Sequence, residues 1–204
     1  LMSPFVGSNI LAGAAGQGGS GYTIQRSLRF NSGDSSYLSR TPSSTGDRKT
    51  WTWSGWVKRS DVGAYDYLFM AITSGSFKSF LSFWNADYIR FQGDGSTPSF
   101  TITTNALFRD PSAWYHIVCR LDTTQATAAD RIKIWVNGVE QTFSSATYPN
   151  QNADVEFNNT SEHFLGSQKD QAQNGLDGYL AEVNFVDGQA LAPTDFGEFN
   201  ADNN

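Results

Sequence analysis

Cysteine, histidine and methionine are scarce in this chain: one Cys, two His and two Met among 204 residues. A lone cysteine allows no disulfide framework, so the core alone must hold the fold. Cys119, inside an apolar run, reads as a small buried hydrophobe. His116 and His163 stand 47 positions apart and match no zinc-site spacing. Cations are also in the minority, with 14 Lys and Arg against 20 Asp and Glu, for a net charge of −6. That balance excludes the basic face of a nucleic-acid binder. No run of about 18 apolar residues occurs, so no membrane insertion is expected. The opening Leu1-Met2 lacks a basic region followed by an apolar one, which gives no sign of a secretion signal. A start at Leu1 points to a trimmed chain or a piece of something longer. Amphipathic helical patterns and heptads are missing too, which excludes a doubly wound α/β fold.

Aromatics, at 14% of the chain, and Gly, Ser, Thr and Asn are plentiful. That composition favours strands joined by turns. The length suits one large β domain. Trp114 to Asp122 and Ile132 to Gly138 organise the rest. Both runs are short and rich in β-branched and aromatic residues, so they read as strands. Tyr115, Ile117, Cys119 and Leu121 share one face of the first, and Ile132, Ile134 and Val136 one face of the second. Such a pair suits the middle of an antiparallel sandwich sheet, closed by a tight Asn137-Gly138 turn.

Further strands are expected at 27–30, 37–40, 50–59, 67–73, 100–104, 142–143, 163–166 and 178–186. Thr50 to Arg59 carries Trp51, Trp53 and Trp56, rings on both faces that belong deep in a sandwich. Residues 80–92 read as a hairpin around Asn85-Ala86-Asp87. Its register pairs Phe83 with Ile89 and Leu81 with Phe91 on one side. Ser82, Trp84, Tyr88, Arg90 and Gln92 fall on the other side, which is expected to be wet. Asn, Ser and Thr dominate the stretch after Phe143, which reads as a long polar loop. Pro193-Thr194-Asp195-Phe196 can start a brief helical turn. Ten to thirteen short strands imply an all-β, two-sheet antiparallel jelly-roll sandwich. It is expected over residues 26–192, between a Gly-rich arm at 1–25 and a tail at 193–204.

The motifs Ser27-Leu28-Arg29-Phe30, Thr52-Trp53-Ser54-Gly55-Trp56-Val57-Lys58, Trp114-Tyr115-His116-Ile117-Val118, Ile134-Trp135-Val136-Asn137-Gly138 and Gly178-Tyr179-Leu180-Ala181-Glu182-Val183 stand in that order. The order resembles the laminin G-like branch of the concanavalin A-like lectin/glucanase superfamily. The ending Ala181 to Leu191, followed by Phe196-Gly197-Glu198, resembles virion proteins of marine tailed phages, structural or tail-fibre-like. That resemblance implies a capsid decoration or tail appendage located in the virion. It also implies contacts to other virion proteins, a homo-oligomer and a host-surface glycan as partners.

Hydrolysis by a glucanase needs two carboxylates across the scissile bond. Their Glu-x-Asp-x-x-Glu signature is absent, Asp154-Val155-Glu156 has the wrong spacing, and Glu182 stands alone. No enzymatic activity is expected. Laminin G-like relatives imply Ca²⁺ at a loop edge, and among the acidic loop residues Asp94 and Asp177 are the candidates, although no Asp ladder accompanies them. Glycan binding needs aromatic faces and planar polar groups, which the hairpin offers in Trp84, Tyr88, Arg90 and Gln92. The plainer reading of Trp84 and Tyr88 is a clamp on the turn, or packing under a neighbouring loop or subunit. The expected function is a non-enzymatic virion protein with a lectin-like domain; the alternative is a stand-alone carbohydrate-binding module or lectin, with a glycan hydrolase ranked behind both.

Overall fold

The two runs that anchor the sequence reading lie side by side in the computed structural model, which describes residues 24–74, 77–94, 99–167 and 175–198. Among those residues thirteen strands form. They are β1 (Leu28–Phe30), β2 (Leu38–Arg40), β3 (Thr50–Arg59), β4 (Asp66–Ser74), β5 (Phe77–Phe83), β6 (Ile89–Asp94) and β7 (Phe100–Thr104). There follow β8 (Tyr115–Asp122), β9 (Ile132–Val136), β10 (Val139–Glu140), β11 (Phe143–Thr147), β12 (Glu162–Leu165) and β13 (Gly178–Asp187). A six-stranded sheet has the order β1-β13-β3-β8-β9-β10, and a seven-stranded sheet β11-β7-β6-β5-β4-β12-β2. Every pairing is antiparallel, and the expected all-β two-sheet sandwich is what forms. The expected arm falls almost wholly outside the described residues, and the tail starts with a 3₁₀ turn at Pro193–Asp195.

The core follows from period-two patterning. Trp51, Trp53 and Val57 of β3, Ile117, Cys119 and Leu121 of β8, and Ile132 and Ile134 of β9 point inward. They meet Phe69, Leu81, Phe83, Phe91 and Ile102 from the other sheet. Trp51 is edge-on to Phe91 and Phe157, at 5.7 and 5.3 Å between ring centres. Burying each such side chain stabilises the fold by about 1.5–3 kcal/mol. Asn137 and Gly138 take φ of +49° and +75°, the left-handed values that a tight turn after β9 requires.

The polar stretch after Phe143 differs from a plain loop. β11 runs on to Thr147, and Val155 and Phe157 enter the core, with Phe157 stacked on Phe69 at 4.5 Å. Spacing gives no warning of this, because no strand period surrounds those two side chains.

Candidate functional site

The β5–β6 hairpin takes the register its pattern predicts: Phe80 with Gln92, Leu81 with Phe91, Ser82 with Arg90, Phe83 with Ile89. Asp87 closes the turn at φ +68°, donating its N–H to Trp84 O at 2.7 Å. The second side of the hairpin is not the wet face expected. Ser82 is 0% exposed and Phe80 1%, because the outer face of the seven-stranded sheet carries a second apolar cluster of Tyr67, Met70, Phe80 and Phe164. Burial pushes the Tyr67 hydroxyl up to about 12. Strand alternation alone does not reveal that both faces of this sheet are apolar.

Trp84, Tyr88, Arg90 and Gln92 come together on that face, each half-buried. The Arg90 guanidinium lies over the Trp84 ring at 4.0 Å and donates to Tyr88 Oη at 3.1 Å. Tyr65 meets Trp84 edge-on at 4.6 Å, and Phe80 stacks on it at 5.9 Å. Trp84 is therefore a bed for Arg90 more than a free platform, and cation–π attraction holds the pair. Gln92 donates to Asp94 Oδ1 at 2.6 Å, which continues the row of planar polar groups. Beneath it, Ser82 Oγ, Arg90 Nε and Thr103 Oγ1 are buried without hydrogen-bond partners. Those three residues are neighbours across β5, β6 and β7. The Ser82–Arg90 pairing is readable from the hairpin, whereas the parts of Thr103 and Tyr65 depend on contacts that sequence spacing does not encode.

Asp94 and Asp177 do not meet. Asp94 lies opposite Lys78 at one end of β5, and Asp177 bonds through its N–H to Asp66, which lies opposite Phe83 at the other end. Five residue steps along β5 separate those ends, roughly 17 Å. Asp66 gives Oδ2 to the fully buried Arg59 at 2.8 Å, and Arg59 also reaches Asp87 at 3.0 Å and Phe108 O at 2.9 Å. Burial raises the Asp66 carboxyl to about 6 against the pull of Arg59, and raises Asp61 as well. Hydrogen bonds from Gly63, Arg109 and Arg59 outweigh burial at Asp87 and hold it low. Ca²⁺ takes six to eight oxygens. Among the described residues no group of three or more His, Cys, Asp or Glu is placed to hold a metal ion.

Ser54 Oγ lies 2.9 Å from His116 Nε2 on the outer face of the six-stranded sheet. Burial alone lowers the His116 pKa, with no carboxylate contributing. His163 is fully engaged, accepting from Asn158 N–H at Nε2 (3.0 Å) and donating from Nδ1 to Ser161 O (2.8 Å). Glu156 is tied to Arg48 at 3.4 Å and to Thr73, while Glu182 sits exposed on a strand bulge.

Over residues 31–195 the sequence matches the laminin G family described as the concanavalin A-like lectin/glucanases superfamily. The chain belongs to that superfamily. No curated protein matches it by sequence. Among solved structures, domains LG4-5 of the mouse laminin alpha1 chain superpose with a TM-score of 0.58 at 13% identity, covering 82% of this chain and 43% of that one. The CBM40 of the Ruminococcus gnavus IT-sialidase gives 0.54 at 14% identity, covering 78% and 95%. The heptameric SAP-like pentraxin from Limulus polyphemus gives 0.53 at 13%, covering 76% and 71%. At such identities the likeness is one of fold. Within the superfamily the sandwich resembles this CBM40 and the laminin LG domains in fold.

Proposed function

We propose that this concanavalin A-like domain is a non-enzymatic glycan-binding module. The observation that carries the reading is the Arg90 guanidinium fixed between the Trp84 ring and the Tyr88 hydroxyl, beside Gln92 and Asp94, on a half-exposed sheet face. Planar donors and acceptors held rigid in a row suit the paired hydroxyls of a sugar, and their pre-organisation lowers the ordering cost of binding. A glycan array probed with the full chain tests this, followed by calorimetry on any sugar it retains. Arg90→Ala is expected to weaken binding at least tenfold while circular dichroism stays unchanged. An array without a hit, or a hit that Arg90→Ala leaves alone, overturns the reading.

We further propose that the module is carried on a tailed-phage virion, as capsid decoration or tail appendage. There it would assemble with copies of itself and other virion proteins and meet a host-surface glycan. Support comes from the resemblance of Ala181 to Leu191 and Phe196-Gly197-Glu198 to such proteins, and from an acidic balance that would keep particles dispersed. Mass spectrometry of gradient-purified particles should detect the polypeptide at stoichiometric level. Its absence would leave the sugar-binding reading standing and remove the viral one.

A further inference from the structure

A cleft on the flank of the sandwich belongs to neither the hairpin patch nor the acidic end. β1 pairs only with Gly178 to Leu180, so the second half of β13 has β3 on one side and no strand on the other among the described residues. β2 has crossed to the seven-stranded sheet, where it pairs with β12 at the edge. Between that bare half of β13 and the β12–β2 edge lies a cavity of about 770 Å³. Its floor is built from Trp53, Phe69, Val183 and Phe185, with the Phe69 and Phe185 rings 5.5 Å apart. A bulge in β13 places Val183 against Gly55, where an added Cβ would come within 3.3 Å of Val183 and 3.0 Å of Trp53.

The roof is the 42–46 segment, anchored at one end. Gly46 N–H donates to Asn158 O at 2.9 Å, Asp47 N–H to Asp187 Oδ1 at 2.8 Å, and Asn158 Nδ2 to Asp47 O at 3.0 Å. A Cβ on Gly46 would press on the ends of the Asn158 and Asp187 side chains and force them to shift. Asp187, an acid on the lining, is thus occupied by two donors, the Asp47 N–H and the Asn158 amide. His163 on the wall is held neutral by its own two bonds. At the mouth stands Arg40, exposed and without an acidic partner within 4.0 Å among the described residues.

A pyranose carries hydroxyls around its ring, and a floor of aromatic and aliphatic side chains would leave those facing it unpaired. Apolar substance fits that floor, and a single negative charge fits the mouth. We infer that the flank cleft is a second ligand site, for a small amphipathic anion: an apolar ring system or short acyl chain bearing one carboxylate or sulfonate. The body lies on Trp53, Phe69 and Phe185, and the anionic head pairs with Arg40.

The probe is 8-anilinonaphthalene-1-sulfonate, followed by fluorescence on the full chain, beside its neutral relative N-phenyl-1-naphthylamine. One equivalent of the sulfonate per folded chain is expected. Arg40→Gln, on an exposed edge strand, should weaken the sulfonate at least fivefold and leave the neutral dye within twofold. Val183→Phe, which fills the floor, should weaken both dyes, and Arg90→Ala should change neither. Absence of binding, or sulfonate binding indifferent to Arg40→Gln, overturns the site whatever the glycan array returns.

Discussion

His163 shows how one side chain can be committed by its neighbours. Its Nε2 accepts from Asn158 and its Nδ1 donates to Ser161, so the neutral tautomer is the only form that keeps both bonds. Burial lowers its pKa from 6.5, and the nearby Arg40 charge adds to this, against the Ser161 bond. The unfolded imidazole therefore takes up a proton before the folded one does. Its stabilising contribution is present above pH about 6.5 and fades as pH falls through the lower folded value. His163→Gln, which can still accept from Asn158 but does not titrate, is expected to cost roughly 1–2 kcal/mol at pH 7.5. The gap in melting temperature between wild type and variant should narrow by pH 5. Asp66 titrates in both proteins and cancels from that difference; on its own it works the opposite way. A raised carboxyl holds its proton longer in the folded state, so stability falls as pH rises from about 4 through about 6. A melting gap that stays constant with pH would show His163 to be indifferent to its proton.

β13 is the element on which both faces and the flank depend. It pairs with β3 over its whole length, yet its register shifts between Ala181 and Asn184. Glu182 takes φ +47° at that point, a conformation that costs a non-glycine residue about 1 kcal/mol or more. Its side chain is exposed and Asn184 bonds only its carbonyl, so nothing in packing among the described residues offsets the strain. Glu182→Gly is expected to raise the melting temperature by a few degrees, equivalent to about 0.5–1 kcal/mol. A drop instead would mean that the glutamate side chain contributes through a contact outside the described residues. Beyond the bulge, Phe185 turns inward beside Trp51 at 5.4 Å, and Asp187 reaches the roof of the cleft.

At the scale of the molecule, the two sheets are joined by rings that do not all come from strands. Phe157, from the stretch between β11 and β12, meets Trp51, Phe69 and Phe91 and is fully buried. It joins inward residues of both layers, and no disulfide shares that task. Phe157→Ala is expected to cost 3–5 kcal/mol, through lost burial and the cavity left between the sheets. Denaturant unfolding read by tryptophan fluorescence and by circular dichroism should still give one coincident transition. Separation of the two probes would show that the layers can come apart independently.

What was legible in the sequence is what is local. Alternation of apolar and polar residues determined the bounds of β3 and β7, the inward faces of β8 and β9, and the register of the β5–β6 hairpin. Turn chemistry placed Asn137-Gly138, and the hairpin alone brought Ser82 opposite Arg90. Tertiary structure decided the rest, since it depends on which distant strands become neighbours. Two charges around Arg59, Tyr65 behind Trp84, Thr103 beside Arg90 and Phe157 between the sheets are assembled by chain crossings. The flank cleft exists because β1 stops short, β2 changes sheet and β13 bulges, with its wall and roof joined over more than 100 residues by the bonds of Asp47 to Asp187 and Asn158. Period-two patterning states which face of a strand avoids water; it carries no information about what will lie against that face.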